Sequence, residues 1–395
     1  MRAISLAAVA ATACHAVTAV NLYVAAYGGN LTSVKFDGKA LSVISVDQNC
    51  GSSPSWLVQD KKNKVLYCID EGNATPNGSI AAYTTSETGK LTLASNMNLT
   101  APAPVSGVIF GDKSFRGMAL AHYTGQFSTI ALQNATSMKI VQQTNFTAIT
   151  PLGPDPASRQ YIPHLHQALL DPSGKYILMS DLGADLVRVL CWAPTTNNDT
   201  LTEHPPLKAA KGSGPRHAVF WQPQGNYNTT ENLYLFLVAE LANTVTTYKV
   251  SYPSNGGMDF TEVGKTSTFG NATAVPTPGG GEIMVSPCNK FLVVSNRHDA
   301  SFNNGTDAAS DSLATWAIGA NAGLTFKGLA PAGGLAPRHF SFNKAGTMIA
   351  VSLNESAKMV ILARDAVTGA IGAVIASISI GKLPGFSPTC TVWDE

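Results

Sequence analysis

Five short segments hold most of the side chains able to do acid–base chemistry or to bind an anion. IPHLHQALLDPSG carries His164 and His166, GSGPRHAVF carries Arg216 and His217, and VAELANTV carries Glu240. EIMVSPCNKFLVVSNRHD adds Glu282, Arg297 and His298, and LAPRHFSFN adds Arg338 and His339. An imidazole titrates near neutrality and moves protons, whereas a guanidinium grips a carboxylate or phosphate through paired hydrogen bonds. His, Glu and Arg gathered without a matching set of acids therefore read as a site for a carboxylated or phosphorylated small molecule. Glu240 stands in an otherwise apolar run, where an unpaired carboxylate would be costly. His164 and His166 share one side of their strand if that strand has already begun at His164.

Each of these residues also has a structural role open to it. His164 could cap the opening of its strand. Arg216 and Arg338, both in Pro-Arg, could bond backbone carbonyls of adjacent units, and Glu240 with Arg297 could be an ion pair of the kind found in many non-enzymes. Asp181 and Asp185 in SDLGAD read as turn and cross-linking residues, and neither belongs to an Asp-rich calcium loop.

The elements that must position these side chains form a repeat. Each unit is a short apolar strand, a turn such as Asp-x-x-Gly, a second apolar strand, and two more strands joined by a Gly hairpin. The clearest copy is HLHQALLDPSGKYILMSDLGADLVRVLCW, and others open near Pro54, Pro104, Pro215, Gly281 and Pro337. Runs such as KYILMS and TMIAVS suit strands buried on both faces, while VTTYKV and MVILAR close the units, and helical periodicity is nearly absent. Four-stranded repeats are propeller blades, because one blade cannot bury both faces without neighbours. Six blades are complete. The N-terminal segment supplies three strands, Leu22 to Ala26, Ser33 to Phe36 and Leu41 to Val46, and Thr389 to Trp393 supplies their innermost partner. The expectation is an all-β, seven-bladed propeller whose ring is closed by N- and C-terminal strands in one blade, leaving no open edge.

In order along the chain, PHLHQALLDPSGKYILMSDLGAD, GSGPRHAVFWQPQG, VAELANTVTTY, GEIMVSPCNKFLVVSNR and GGLAPRHFSFNKAG resemble successive blade signatures of the lactonase-type propellers. That family includes bacterial 6-phosphogluconolactonase and the 3-carboxy-cis,cis-muconate cyclases. The resemblance runs from about His164 to Asp365 and is weaker elsewhere. It implies that His166, Arg216, Glu240 and Arg297 line an active cleft; His164, His217, Glu282 and Arg338, which stand at inner-strand ends of successive blades that converge on the same opening, are the expected substrate-binding neighbours. The implied enzyme opens or closes a lactone ring: His166 and Glu240 are the acid–base groups, and Arg216 and Arg297 hold a carboxylate or developing oxyanion. No cofactor or metal is called for, and the absence of G-x-S-x-G disfavours a covalent serine route. The alternative is a non-catalytic extracellular or cell-wall glycoprotein using the propeller as a binding platform, since a fold does not fix a function.

Charged residues make up 13% of the chain and the formal net charge is +1, so no global field draws nucleic acid or an anionic membrane. The expected partner is a small lactone or carboxylate, with the protein acting as a monomer. Arg2, the apolar run Ile4 to Ala13 and the small-residue site Val17-Thr18-Ala19 read as a signal peptide over 1–19, followed by a single propeller domain over 20–395. Secretion to the medium or cell wall is the expected location, as in secreted members of the family from filamentous fungi, which this chain resembles. Asn-x-Ser/Thr sequons begin at Asn30, Asn73, Asn77, Asn98, Asn134, Asn145, Asn198, Asn228, Asn271, Asn304 and Asn354, and any glycan must sit at the surface. Cys14 leaves with the leader. Of the remaining five cysteines, Cys50 and Cys68 flank one strand-turn unit and are the preferred disulfide, with free thiols throughout as the other reading. No Cys/His spacing suggests zinc.

Overall fold

The computed structural model describes residues 19–73, 75–134, 136–146, 159–193, 200–227, 231–273, 277, 279–303, 309–380 and 387–395. The expected leader, apart from Ala19, lies outside these residues, as do Asn198, Asn228 and Asn304. Seven four-stranded antiparallel sheets form the blades of a propeller. Blade 1 joins Pro388–Asp394 to Val20–Ala26, Asn30–Phe36 and Leu41–Asp47. Blades 2 to 7 follow in chain order, with innermost strands Pro54–Asp60, Pro104–Gly111, Leu165–Leu170, Pro215–Trp221, Gly280–Val285 and Pro337–Phe342. Each innermost strand touches the next, and the last returns to Pro388–Asp394, which also touches Pro54–Asp60. The ring closes through the C-terminal strand, as the sequence predicts.

Two-sided burial explains the uninterrupted apolar second strands. Tyr176–Asp181 and Phe291–Asn296 are buried at every position. Alternate residues serve opposite neighbours: Leu178 packs with Phe220 and Leu235 of blade 5, whereas Ile177 and Met179 pack with Ala119 and Ala121 of blade 3. Each large apolar side chain so buried contributes about 1.5–3 kcal/mol. Outermost strands such as Asp259–Ser267 are largely exposed, so the apolar cores lie between blades. The closing strand is held in the same way, with Trp393 packed among Leu22 and Val24 of its own blade and Met359 and Ile361 of blade 7.

Two backbone devices recur in every blade and position side chains at one end of the central channel. Five innermost strands start with proline, at Pro54, Pro104, Pro215, Pro337 and Pro388, a position where no N–H is needed for the ladder. The pairing register then shifts within the first residues of every innermost strand. Such a bulge leaves a residue unpaired and re-aims its side chain. The residues freed are Ser55, Val105, His166, Arg216, Arg338 and Thr389, with Gly281 and Glu282 together in blade 6.

The second device is one hydrogen bond made seven times. The residue that follows each second strand donates its N–H to the carbonyl just before the innermost strand: Tyr27 to Ser387, Glu71 to Ser53, Tyr123 to Ala103, Leu182 to His164, Glu240 to Gly214, Arg297 to Gly279, and Asn354 to Ala336. The distances span 2.7–3.0 Å. This second ring of positions sits beside the first at the same end of the channel. Cys50 and Cys68 are disulfide-bonded, tying the approach to blade 2 to its second strand, and Cys191, Cys288 and Cys390 are free thiols. Among the described sequon asparagines none is buried; Asn73, Asn77, Asn98, Asn134, Asn145 and Asn271 are exposed, and Asn30 and Asn354 are half-buried.

Candidate active site

Glu240 is the hub of the first cluster. Its Oε1 lies 2.8 Å from Arg297 Nη2 and 2.7 Å from Arg159 Nη2. Its Oε2 lies 3.0 Å from Arg216 Nε, too poorly aligned for a hydrogen bond, so that contact is coulombic. Burial alone would raise the Glu240 carboxyl, but Arg297, Arg216 and Arg159 outweigh it and hold the group well below the usual carboxylate range. A carboxylate so held neither takes nor gives a proton near neutrality. The sequence-based expectation of an acid–base Glu240 therefore gives way to a fixed anion that orients three guanidiniums.

The arginines differ in depth. Side-chain exposure falls from 40% at Arg159 to 12% at Arg297 and 2% at Arg216. Arg216 Nη1 is buried with no hydrogen-bond partner. Burial, then the Arg297 charge, push Arg216 down to about 9, while Glu240 works the other way, so it remains a cation at neutral pH.

Across the channel stands a second carboxylate. Glu71 Oε1 accepts a hydrogen bond from Tyr27 Oη at 2.6 Å and lies 3.6 Å from Arg338 Nη2. Burial pushes the Glu71 carboxyl up, and the Arg338 charge only partly restrains it. The Arg338 guanidinium also lies 5.4 Å from the Tyr27 ring centroid, within cation–π range.

Deeper in the channel the histidines form a chain. His166 Nδ1 is 3.1 Å from His217 Nε2, and His217 Nδ1 is 2.9 Å from Glu282 Oε1. Thr391 donates its N–H to His339 Nδ1 at 3.3 Å, which leaves His339 Nε2 to carry a proton 3.8 Å from Glu282 Oε2. The Trp56 indole stands edge-on to both His217 and His339, at 5.6 and 5.1 Å. Burial holds His166 well below the ordinary imidazole value, helped by the charges of Arg216, His217, Arg338 and Arg297. It lowers His339 to about 4. Burial would raise Glu282, but His217 and His339 bring it to about 2.

The structure thus brings His166, Arg216, His217, Glu240, Glu282, Arg297 and Arg338 into one connected group. His217 and Glu282, expected among the substrate contacts, stand behind His166 and are almost fully buried. His164 is not on the strand, which begins at Leu165, so it and His166 do not share a side. Its Nδ1 lies 2.5 Å from the Tyr123 carbonyl of blade 3, and its ring stacks on Tyr123. His298 is exposed and pairs with Glu355. Asp181 and Asp185 act as structural pins: Asp181 receives the His164 N–H and Arg188 Nε, and Asp185 receives the N–H groups of Gly212 and Gly214 from the approach to blade 5.

Sequence reasoning missed Tyr27, Glu71, Tyr123, Arg159 and Trp56. A signal for three of them was present. Tyr27, Glu71 and Tyr123 hold the same repeat position as Glu240 and Arg297, directly after a second strand, and aligning the blades on the strand endings LYVAAY, LYCIDE, LAHY, LVAE and VSNR selects them.

Chemically, four guanidiniums face three carboxylates, the surplus is positive, and one buried guanidinium nitrogen stands unpartnered. That is a seat for an anionic group beside a neutral imidazole. The family model for the lactonases, described as a seven-bladed β-propeller, matches residues 18–391. The chain belongs to the lactonase family. The match extends through the first half of the chain, where the sequence signatures alone are weak.

This lactonase-family chain is 28% identical over 380 residues to a probable 6-phosphogluconolactonase of Arthroderma benhamiae, covering 94% of this chain and 88% of that one. It is 25% identical over 344 residues to the 6-phosphogluconolactonase of Bacillus subtilis, covering 87% and 88%. The periplasmic gluconolactonase of Pseudomonas aeruginosa shares the fold, with a TM-score of 0.77 at 23% identity, covering 95% of this chain and 99% of that one. Among the described residues no helix is long and apolar enough to cross a membrane.

Proposed function

We propose that the protein hydrolyses the lactone of a sugar acid carrying an anionic group, at the channel end lined by His166, Arg216 and Arg297. The observation that carries this reading is the unpartnered, buried Arg216 Nη1 in a positively charged seat next to neutral His166. Arg216 and Arg297, braced by Glu240, hold the substrate anion or the oxyanion that forms at the carbonyl. A water gives its proton to His166 Nε2 as its oxygen bonds to the lactone carbonyl carbon. The ring C–O bond then breaks, and the departing ring oxygen takes that proton from His166, giving the open hydroxy acid. Arg338 and His164 flank this path and complete the substrate-binding set.

The names of the relatives support aldonolactones, phosphorylated or not, as the substrate class. The Cys50–Cys68 disulfide and the exposed sequon asparagines support a secreted glycoprotein made as a 1–19 leader and a 20–395 propeller, for which an extracellular sugar lactone is the accessible substrate. Ring closure of a carboxymuconate would use the same arginines and a proton delivered to carbon. The test is to follow acid release by the purified protein on glucono-δ-lactone, its 6-phosphate and a carboxymuconolactone. Enzymatic opening of an aldonolactone well above the spontaneous rate is expected. No turnover on any of them at any pH overturns the proposal, and retained lactone binding without turnover would establish a binding platform instead.

A further inference from the structure

Resting on that lactone-opening reading, we infer that Glu282 and His217 form a two-step positioning relay that fixes His166 as the Nδ1–H tautomer and leaves its Nε2 as the proton acceptor. The geometry dictates the proton positions. An ionised carboxylate only accepts, so Glu282 Oε1 at 2.9 Å requires a proton on His217 Nδ1. In the neutral ring, His217 Nε2 is then an acceptor, and the partner 3.1 Å away, His166 Nδ1, must be the donor. The remaining nitrogen, His166 Nε2, keeps its lone pair and makes no hydrogen bond among the described residues.

The carboxylate end of the relay is itself fixed. Glu282 Oε1 also receives the Ile283 N–H at 3.0 Å, and its backbone N–H is held by Ser295 Oγ at 2.9 Å. On the far side, the proton on His339 Nε2 points the same way, because the Thr391 N–H occupies His339 Nδ1. The relay links three successive blades, 4, 5 and 6: His166 and Glu282 are bulge residues, and His217 is the first paired residue after the blade 5 bulge. Only the bulge frees His166 and Glu282 from the ladder so that both reach His217. The groups that face His166 are Arg216 and His217 of blade 5, Arg297 of blade 6, Arg338 of blade 7 and the Tyr123 ring of blade 3. The nearest negative charge acting through the chain is Glu282. A carboxylate behind an imidazole pair favours the protonated form, so it strengthens His166 as a base against the surrounding guanidiniums.

Two measurements test this. Long-range proton–nitrogen NMR of the intact chain labelled with ¹⁵N-histidine should show, at neutral pH, His166 and His217 protonated at Nδ1 and His339 at Nε2; a proton on His166 Nε2 overturns the relay. In Glu282→Gln the amide oxygen still accepts from His217 but the charge is gone. For the folded variant, kcat should fall by about tenfold or more with KM little changed, and the acid limb of the kcat/KM profile should move to lower pH, because His166 becomes harder to protonate. An unchanged kcat and acid limb would make Glu282 merely structural. If wild-type protein opens no lactone, the function proposed above fails while the NMR result still decides the tautomers.

Discussion

Glu71 and Glu240 occupy the same position of the repeat, three blades apart, and each makes the same backbone hydrogen bond to the residue before its innermost strand. Their chemistry is opposite. Glu240 lies among three guanidiniums that overcome burial and hold it ionised, whereas Glu71 has one hydroxyl and one arginine at 3.6 Å, and burial wins. The backbone therefore supplies a socket, and the charge of the neighbouring blades decides whether the carboxylate is a fixed anion or a protonatable group. One fold can thus hold two carboxyls apart in pKa at a single channel end, an arrangement that separates acid–base roles in many enzymes.

The contrast predicts the largest effect at Glu240. Glu240→Gln leaves three arginines without their common partner, and removing one member of a buried ionic set costs about 3–5 kcal/mol, read as a large drop in the urea midpoint. A loss no greater than that of Glu71→Gln would erase the distinction between the two sockets.

Among the described residues only the Glu71 side is tied covalently, through Cys68 in the strand that leads into Glu71. Reduction of Cys50–Cys68 should lower stability by roughly 3 kcal/mol for a loop of this length. Hydrogen exchange should then quicken in blade 2 first, and uniform loosening around the ring would contradict a local role.

At Arg216, lysine keeps the charge but loses the planar fork. Arg216→Lys should reduce lactone turnover more than tenfold, the loss of a charge-assisted hydrogen bond worth about 1.5–3 kcal/mol, while the melting temperature stays close to wild type. A lowered melting temperature with unchanged turnover per folded molecule would instead make Arg216 a strut between blades.

The smallest effect belongs to Glu71→Gln, about 1 kcal/mol or less, but its sign changes with pH. A carboxyl raised by folding binds its proton more tightly in the native state, so stability falls as pH rises from the model-peptide value of 4.5 to the raised folded value. Glu71→Gln removes that fall. The depressed Glu240 does the reverse: it adds stability above about 4.5 that is lost only on strong acidification. Relative to wild type, the urea midpoint of Glu71→Gln should rise with pH above about 4.5 and that of Glu240→Gln should fall as pH rises towards 4.5 from strong acid, and a Glu71→Gln difference that does not vary above 4.5 would refute the assignment.

Much of the fold was legible because its signals are local. Continuous apolar runs such as YILMSD and FLVVSN demand neighbours on both faces, and three N-terminal strands demanded a fourth from the C-terminus. Five site segments were legible for a related reason: charged side chains stand out in strands that are otherwise apolar. Their roles were not. His164 and His166 look equivalent at a spacing of two, yet the strand starts between them, and one turns to Tyr123 of blade 3 and the other to His217 of blade 5.

The sequence by itself determined the number of blades, the ring closure and five of the segments that reach the channel end, because two-sided burial and repeat length act over a few residues. Only the tertiary structure decided that Glu240 is a clamped anion, that Glu282 stands behind His217 rather than against substrate, and that Glu71 and Tyr27 belong to the site at all. Those outcomes depend on bulges that re-aim side chains and on charges contributed by blades far apart in the chain, and a carboxylate's protonation follows from the charges that surround it in space.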